Sequence, residues 1–122
     1  MSDERFPVTW SDRAAVVTVP GELDLTNADG LREALLDVLN AGALGLVVDM
    51  TKTTFCDSAG ISAITRAARR AAANEATMRL AVVSSAVLRV LNLVGIDRLI
   101  EIHPNVSAAR ASLPDQAGGL VK

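Results

Sequence analysis

A chain of 122 residues with a formal net charge of −2, half of it hydrophobic and with Phe6, Trp10 and Phe55 as its only aromatic residues, has the size of one domain built on an aliphatic core. No apolar run approaches the roughly 20 residues of a bilayer span and Met1-Ser2-Asp3-Glu4-Arg5 does not open a signal peptide, so no membrane partner and a cytoplasmic location are expected. The single Cys56 excludes an internal disulfide, Cys56 with the single His103 makes no structural zinc site, and the charge balance argues against direct nucleic-acid binding.

Met1 to Arg5 reads as a loose end. Phe6, Val8 and Trp10 alternate with Pro7, Thr9 and Ser11, the pattern of a half-buried strand, and Pro7 restricts it to a sheet edge because proline cannot donate to a ladder. Ser11-Asp12-Arg13 is a turn. Ala15 to Val19 returns as a second strand, antiparallel to the first because the connection is short. Pro20 to Leu25 breaks that strand. Thr26 followed by Asp29 resembles a capping box, with Asp in the usual place of Glu, and opens a helix from about Asn27 to Asn40. Ala28, Leu31, Leu35, Val38 and Leu39 form its buried stripe; Asp29, Arg32, Glu33, Asp37 and Asn40 form its wet face, with Leu36 at the margin. Gly42 and Gly45 bracket the exit.

Leu46 to Met50 is a short apolar run rich in β-branched residues, as in a strand covered on both faces. A polar turn follows, and then a helix capped by Asp57 or Ser58, either of which can accept from the orphan N–H groups of the first turn. Ile61, Ile64, Ala68, Ala71 and Ala72 recur at helical spacing and are expected to face the sheet, which puts Ser58, Ser62, Arg66 and Arg69 on the opposite arc. Ser58 is then a hydroxyl at a helix start, turned to solvent. A phosphate there would be tolerated by the helix dipole and free N–H groups.

Met78 to Val83 is the next strand. Ser84 or Ser85 caps a short helix containing Val87, Leu88, Val90, Leu91 and Val94, stopped by Gly95; its apolar residues lie on more than one side, which suits a permanent partner or a homodimer. Leu99 to His103 is a last strand. Asn105 caps a final helix, Val106 to about Leu113, which Pro114 ends, and the rest to Lys122 reads as a flexible tail. The order ββαβαβαβα predicts a single α/β domain over 1–122, ordered from about 6 to 113. Its mixed β-sheet has the first strand antiparallel and the rest mainly parallel, with about four α-helices. The turns at Gly21 to Asp24 and Thr53 to Ser58 then fall at the same end of the sheet, where α/β proteins place their sites.

Enzyme chemistry finds little support. There is no Gly-x-Ser-x-Gly elbow, His103 is alone, and no Gly-rich loop of Walker type is present. A receiver domain with Asp49 as phosphoacceptor would need an early acidic pair and a late lysine, and both are missing. No catalytic residue, cofactor or metal is expected.

Gly21-Glu22-Leu23-Asp24, the strand ending in Asp49, and above all Asp57-Ser58-Ala59-Gly60-Ile61 resemble the bacterial anti-sigma factor antagonists, which are single STAS domains. The likeness in element order runs from about Val8 to Leu113. It implies the STAS fold and a partner switch: the unphosphorylated antagonist binds an anti-sigma factor that is itself a serine kinase, freeing a sigma factor for transcription. Phosphorylation of Ser58 by that kinase ends the interaction, and a serine phosphatase restores it. Asp24 matches the family's acidic residue near the kinase-binding surface, and the partner-binding set is expected to be Asp24, Asp57, Ser58, Gly60, Ser62 and Arg66. Ala59 departs from the many members with a second hydroxyl there, which leaves Ser58 as the motif's sole acceptor. A monomer or weak homodimer is expected.

Plainer readings stand beside these. Gly60 allows close approach of helix and sheet, Cys56 is a small half-buried apolar residue, and Arg66, Arg69 and Arg70 form a solvated helix face. The rival function within the same fold is a structural subunit of a lipid-transport or stress-signalling complex, which would need no phosphoacceptor.

Overall fold

The computed structural model describes residues 5–114; the loose end expected at Met1 to Glu4 and the tail expected from Asp115 to Lys122 lie outside them. Strands β1 (Val8–Ser11) and β2 (Ala14–Thr18) form the expected antiparallel hairpin, with Asp12 in the left-handed conformation at φ 55° in the turn. Asp tolerates that conformation better than most residues. Phe6 is buried, but Trp10, opposite Ala15 on the core side, is 47 % exposed and not half-buried in the expected way. It stands on an edge strand, where no further strand covers it.

After β2 the chain forms the two-residue strand β3 (Glu22–Leu23), where the sequence pattern shows only a break, and then α1 (Ala28–Asn40). The expected stripe of α1 is buried, with Ala34 added to it, and Leu36 is half-buried. The capping box is not formed. Asn27 holds the N-cap position, and Thr26 turns its hydroxyl to Asp24, not to the helix.

Strand β4 (Gly45–Met50) lies at the centre of the main sheet, in the order β1-β2-β4-β6-β7, with β6 (Thr77–Val82) and β7 (Glu101–His103) beyond it. Only the β1–β2 pair is antiparallel; β2, β4, β6 and β7 run parallel. Between β4 and β6 come the two-residue strand β5 (Phe55–Cys56) and helix α2 (Ser58–Ala73). The face of α2 departs slightly from expectation: Gly60, Ala63, Ile64, Ala67, Ala68 and Ala71 are buried, Ile61 is half-buried and Ala72 is exposed. The stripe is rotated by about one residue towards Ala63 and Ala67, because the helix packs against both α1 and the sheet.

Helix α3 (Ser85–Leu93) is capped by Ser84, whose Oγ accepts from the Val87 N–H at 3.3 Å. Gly95, at φ 86°, turns the chain into a single-turn helix α4 (Ile96–Leu99), a fifth helix that removes Leu99 from the expected strand. Helix α5 (Val106–Ala111) starts at Asn105, whose Oδ1 accepts from the Ala108 N–H at 2.7 Å. The large core joins one sheet face to α1, α2 and α3 through Leu31, Leu35, Val48, Ile64, Leu80 and Leu91, all fully buried. The opposite face is covered by α5, where Ala109 packs on Val47 and Ala81. Arg79 fastens that cover: its Nε donates to Ser112 Oγ at 2.9 Å and lies 3.2 Å from Glu101 Oε1.

Candidate functional site

The two turns predicted to share one end of the sheet do so, and backbone hydrogen bonds join them. Strands β3 and β5 pair in parallel, Glu22 opposite Phe55 and Leu23 opposite Cys56, as a two-stranded sheet of their own. The Thr54 N–H donates to Gly21 O at 2.8 Å and the Asp57 N–H to Leu23 O at 3.1 Å. Thr53, the fully buried polar residue of this region, donates its hydroxyl to Pro20 O at 2.8 Å. These bonds cross more than 30 residues of chain and leave no local trace in sequence.

Asp57 is the cap of α2. Its Oδ1 accepts from the Ala59 and Gly60 N–H groups at 2.9 and 3.1 Å, and its Oδ2 accepts from the Leu25 N–H at 3.1 Å. One side chain therefore caps the helix and holds the other turn against it. This revises the expected reception of a phosphate: Ala59 and Gly60 are no longer free donors, since a carboxylate already occupies them. An anion added at Ser58 meets a fixed negative neighbour.

Ser58 is the first residue of α2, exposed, and its hydroxyl makes no hydrogen bond among the described residues. Ser62 and Arg66 follow on the same exposed face, along a groove of about 340 Å³ between α1 and α2 whose other walls include Leu25, Asp29, Arg32 and Ala59. Gly60 faces the other way. It is buried, and a Cβ there would lie 2.7 Å from Leu23 Cγ, 2.8 Å from Leu23 Cδ2 and 2.9 Å from Cys56 Sγ. The plainer reading of Gly60 therefore describes its place: it lets α2 begin against β3 and β5, and it presents no side chain to a partner. Burial, and secondarily the Asp57 charge, push the Cys56 thiol up to about 11, so it is an unreactive filler at neutral pH.

Asp24 sits in the turn that Asp57 holds. Its Oδ1 accepts from the Thr26 hydroxyl at 2.5 Å and the Thr26 N–H at 2.9 Å, and these bonds lower its pKa, so it stays ionised. Its backbone is pinned as well: the Asp24 N–H donates to Asn27 Oδ1 at 2.9 Å, and the Asn27 side chain donates to Glu22 O at 2.9 Å. Two residues that pattern reading did not single out complete the surface. Leu25 is 81 % exposed and Phe55 is 51 % exposed, one on each turn. A large apolar side chain in a polar turn was the available signal.

Ser58 thus follows directly on Asp57, at the end of the domain where the turns that carry Asp24, Leu25 and Phe55 are joined. Such a place can present a hydroxyl to another protein's active site. Among the described residues no cluster of three or more His, Cys, Asp or Glu side chains is placed to hold a metal ion. No helix of these residues is long and apolar enough to cross a membrane.

Residues 5–109 match the family model of the STAS domain. Among solved structures, an anti-sigma factor antagonist from Mycobacterium paratuberculosis superposes with a TM-score of 0.82 at 23% identity, over 94% of this chain and 100% of that one. An anti-sigma-factor antagonist (STAS) domain protein from Planctomyces limnophilus gives 0.79 at 19% identity, over 93% and 99%. The Bacillus cell fate determinant SpoIIAA in its phosphorylated form gives 0.68 at 17% identity, over 87% and 97%.

Proposed function

The chain belongs to the STAS-domain family, and from that premise we propose that it is an anti-sigma factor antagonist controlled by phosphorylation of Ser58. Its partner is an anti-sigma factor serine kinase, bound while Ser58 is unmodified, and a serine phosphatase resets the switch. The domain is not itself an enzyme and acts in the cytoplasm as a monomer or weak homodimer. The observation that carries the reading is the exposed, unbonded Ser58 hydroxyl at a helix start fixed by Asp57. An acceptor serine must reach into a kinase, so it needs exposure without wandering. The likeness to solved antagonists supports the same class.

In the transfer, Ser58 Oγ attacks the γ-phosphorus of ATP held by the kinase. The new O–P bond forms as the bond to the ADP oxygen breaks, and the hydroxyl proton passes to a base on the kinase. The product carries about −1.5 to −2 charges beside the Asp57 carboxylate. Two unit charges 4 Å apart repel by about 1 kcal/mol in bulk water but by about 4 kcal/mol at the effective dielectric of a protein boundary. The free domain therefore tolerates the phosphate, whereas a docked interface that excludes water does not. Asp24, Asp57, Ser62 and Arg66 serve as partner contacts on this surface, Leu25 and Phe55 supply its apolar area, and Gly60 contributes through the placing of α2. The test is titration calorimetry of wild type, Ser58→Ala and Ser58→Glu against the cognate serine kinase, with intact mass after incubation with ATP. Equal affinity of wild type and Ser58→Glu, or phosphate on Ser62 or Thr54 with Ser58 unmodified, would overturn it.

A further inference from the structure

The groove that begins beside Ser58 does not end at Arg66. A second hollow of about 350 Å³ continues it between α1 and α2, lined by Arg32, Leu36, Arg66, Arg69, Arg70 and Ala73. The two hollows share Arg32 and Arg66 and so adjoin, as a two-part channel along the helix pair. From Ala59 to Ala73 that channel follows fifteen residues of α2, about 21 Å of helix from first to last.

Its charge is one-sided. Four guanidinium groups line it against the single carboxylate of Asp29, which lies 3.6 Å from Arg32 and is itself 90% exposed. Arg70 donates to the neutral Asn40 Oδ1 at 2.8 Å, and Arg66 and Arg69 have no ion pair or side-chain hydrogen bond among the described residues. The chain as a whole carries −2, so this is a local reversal of sign. The second hollow, between Arg32 and the arginines of α2, is mainly apolar, with Leu36 and Ala73, whereas the one nearer Ser58 is mainly polar.

We propose that this α1–α2 channel docks an acidic amphipathic helix of a protein partner. A simple anion would need one or two of the arginines and none of the length. Arg66 stands three and four residues before Arg69 and Arg70, about one turn or 5–6 Å from each, which matches carboxylates repeated at three or four residues on a facing helix. The mainly apolar second hollow takes that helix's adjoining aliphatic side chains. The proposal deepens the docking reading, resting on it in that the channel opens beside Ser58 and lengthens the same surface.

The test uses the full chain, 15N-labelled, and a synthetic helical peptide of about 16 residues with Glu at four-residue spacing beside Leu and Ala. Controls are the same peptide with Gln for Glu, inorganic phosphate, and a single-stranded oligonucleotide. The expected result is saturable binding with amide shifts confined to α1 and α2. It should weaken at high salt and by about tenfold or more in Arg66→Ala/Arg69→Ala, whose melting temperature stays that of wild type because both side chains are exposed. Equal binding of the Gln peptide, displacement by phosphate or oligonucleotide at matched charge, unchanged affinity of the double variant, or no binding at all overturns the proposal. The probe needs no kinase, so its failure leaves the Ser58 switch standing, and loss of the switch leaves an arginine-dependent channel standing.

Discussion

Asp57 Oδ2 accepts the backbone N–H of Leu25 at 3.1 Å, across 32 residues of chain, while the other oxygen of the same carboxylate caps α2. Removing that side chain therefore releases three donors at once. Asp57→Ala should cost about 2–3 kcal/mol, the sum of a lost cap and a lost charge-assisted bond. Asp57→Asn keeps one acceptor and should cost about 1 kcal/mol. Ser58→Ala touches no hydrogen bond and should stay within about 0.5 kcal/mol of wild type. Urea melts rank the three, and a Ser58→Ala loss larger than that of Asp57→Ala would show the cap to be misassigned.

Gly60 should resist the usual benefit of replacing glycine in a helix. Alanine propensity favours Gly60→Ala by about 1 kcal/mol, but the new methyl meets Leu23 and Cys56 below 3.0 Å. Overpacking costs about 1–3 kcal/mol, so a net loss of up to about 2 kcal/mol is expected in place of the gain. Combining it with Leu23→Ala should give a loss well short of the sum of the two singles, measured as a double-mutant cycle. Strict additivity would mean that the two side chains do not compete for the same space.

The rotated face of α2 can be read in stability. Ile64→Ala removes a fully buried side chain and should cost about 2–5 kcal/mol. Ala72→Ser, now on the exposed side, should change stability by no more than about 0.5 kcal/mol. Chemical denaturation of both variants distinguishes the observed face from the one the spacing of Ile61 and Ala72 suggests.

Cys56 carries a pH dependence of definite sign. Its thiol is raised from the ordinary 9.0 to about 11, so the folded state favours the protonated form. That contribution to stability is whole below pH 9.0 and is lost as the pH rises through about 11. At pH 9 about half of an unfolded thiol is thiolate but only about one in a hundred in the fold. Iodoacetamide should then modify native Cys56 at least about tenfold more slowly than the urea-unfolded chain. Equal rates would place the thiol in water.

On the functional side, Ser58→Glu should weaken kinase binding by at least about tenfold, or 1.4 kcal/mol, while Ser58→Ala keeps binding and takes up no phosphate. Asp24→Asn should weaken binding with an unchanged melting curve, since its contacts to Thr26 lie in an exposed turn. A calorimetric titration for each variant, paired with a thermal melt, separates lost contact from lost fold.

Much of this was legible because it is local and periodic. The stripe of α1, the twice-covered β4 and the cap at Asn105 follow from spacing and side-chain chemistry, which also narrow the cap of α2 to Asp57 or Ser58. The β3–β5 pair was hidden because two residues cannot display a period of two, and its hydrogen bonds join segments over 30 residues apart. The capping box failed at Thr26 because Asp24, two residues away, competes for the same hydroxyl. Ser58 was visible as an exposed helix start; the tie from Asp57 to Leu25 that fixes its setting was not, because a carboxylate's second oxygen carries no sequence signal.

The cover that α5 supplies has a consequence for the making of the chain. Synthesis proceeds from the N-terminus, so β2, β4 and β6 exist before the residues that shield their second face. Until α5 arrives, the apolar patch that Val16, Val47 and Ala81 form on that face lacks the cover of Val106 and Ala109. The nascent domain therefore passes through a stage with a bare, aliphatic sheet centre, when sticking to other chains competes with completion. Arg79 then holds the finished cover through Ser112.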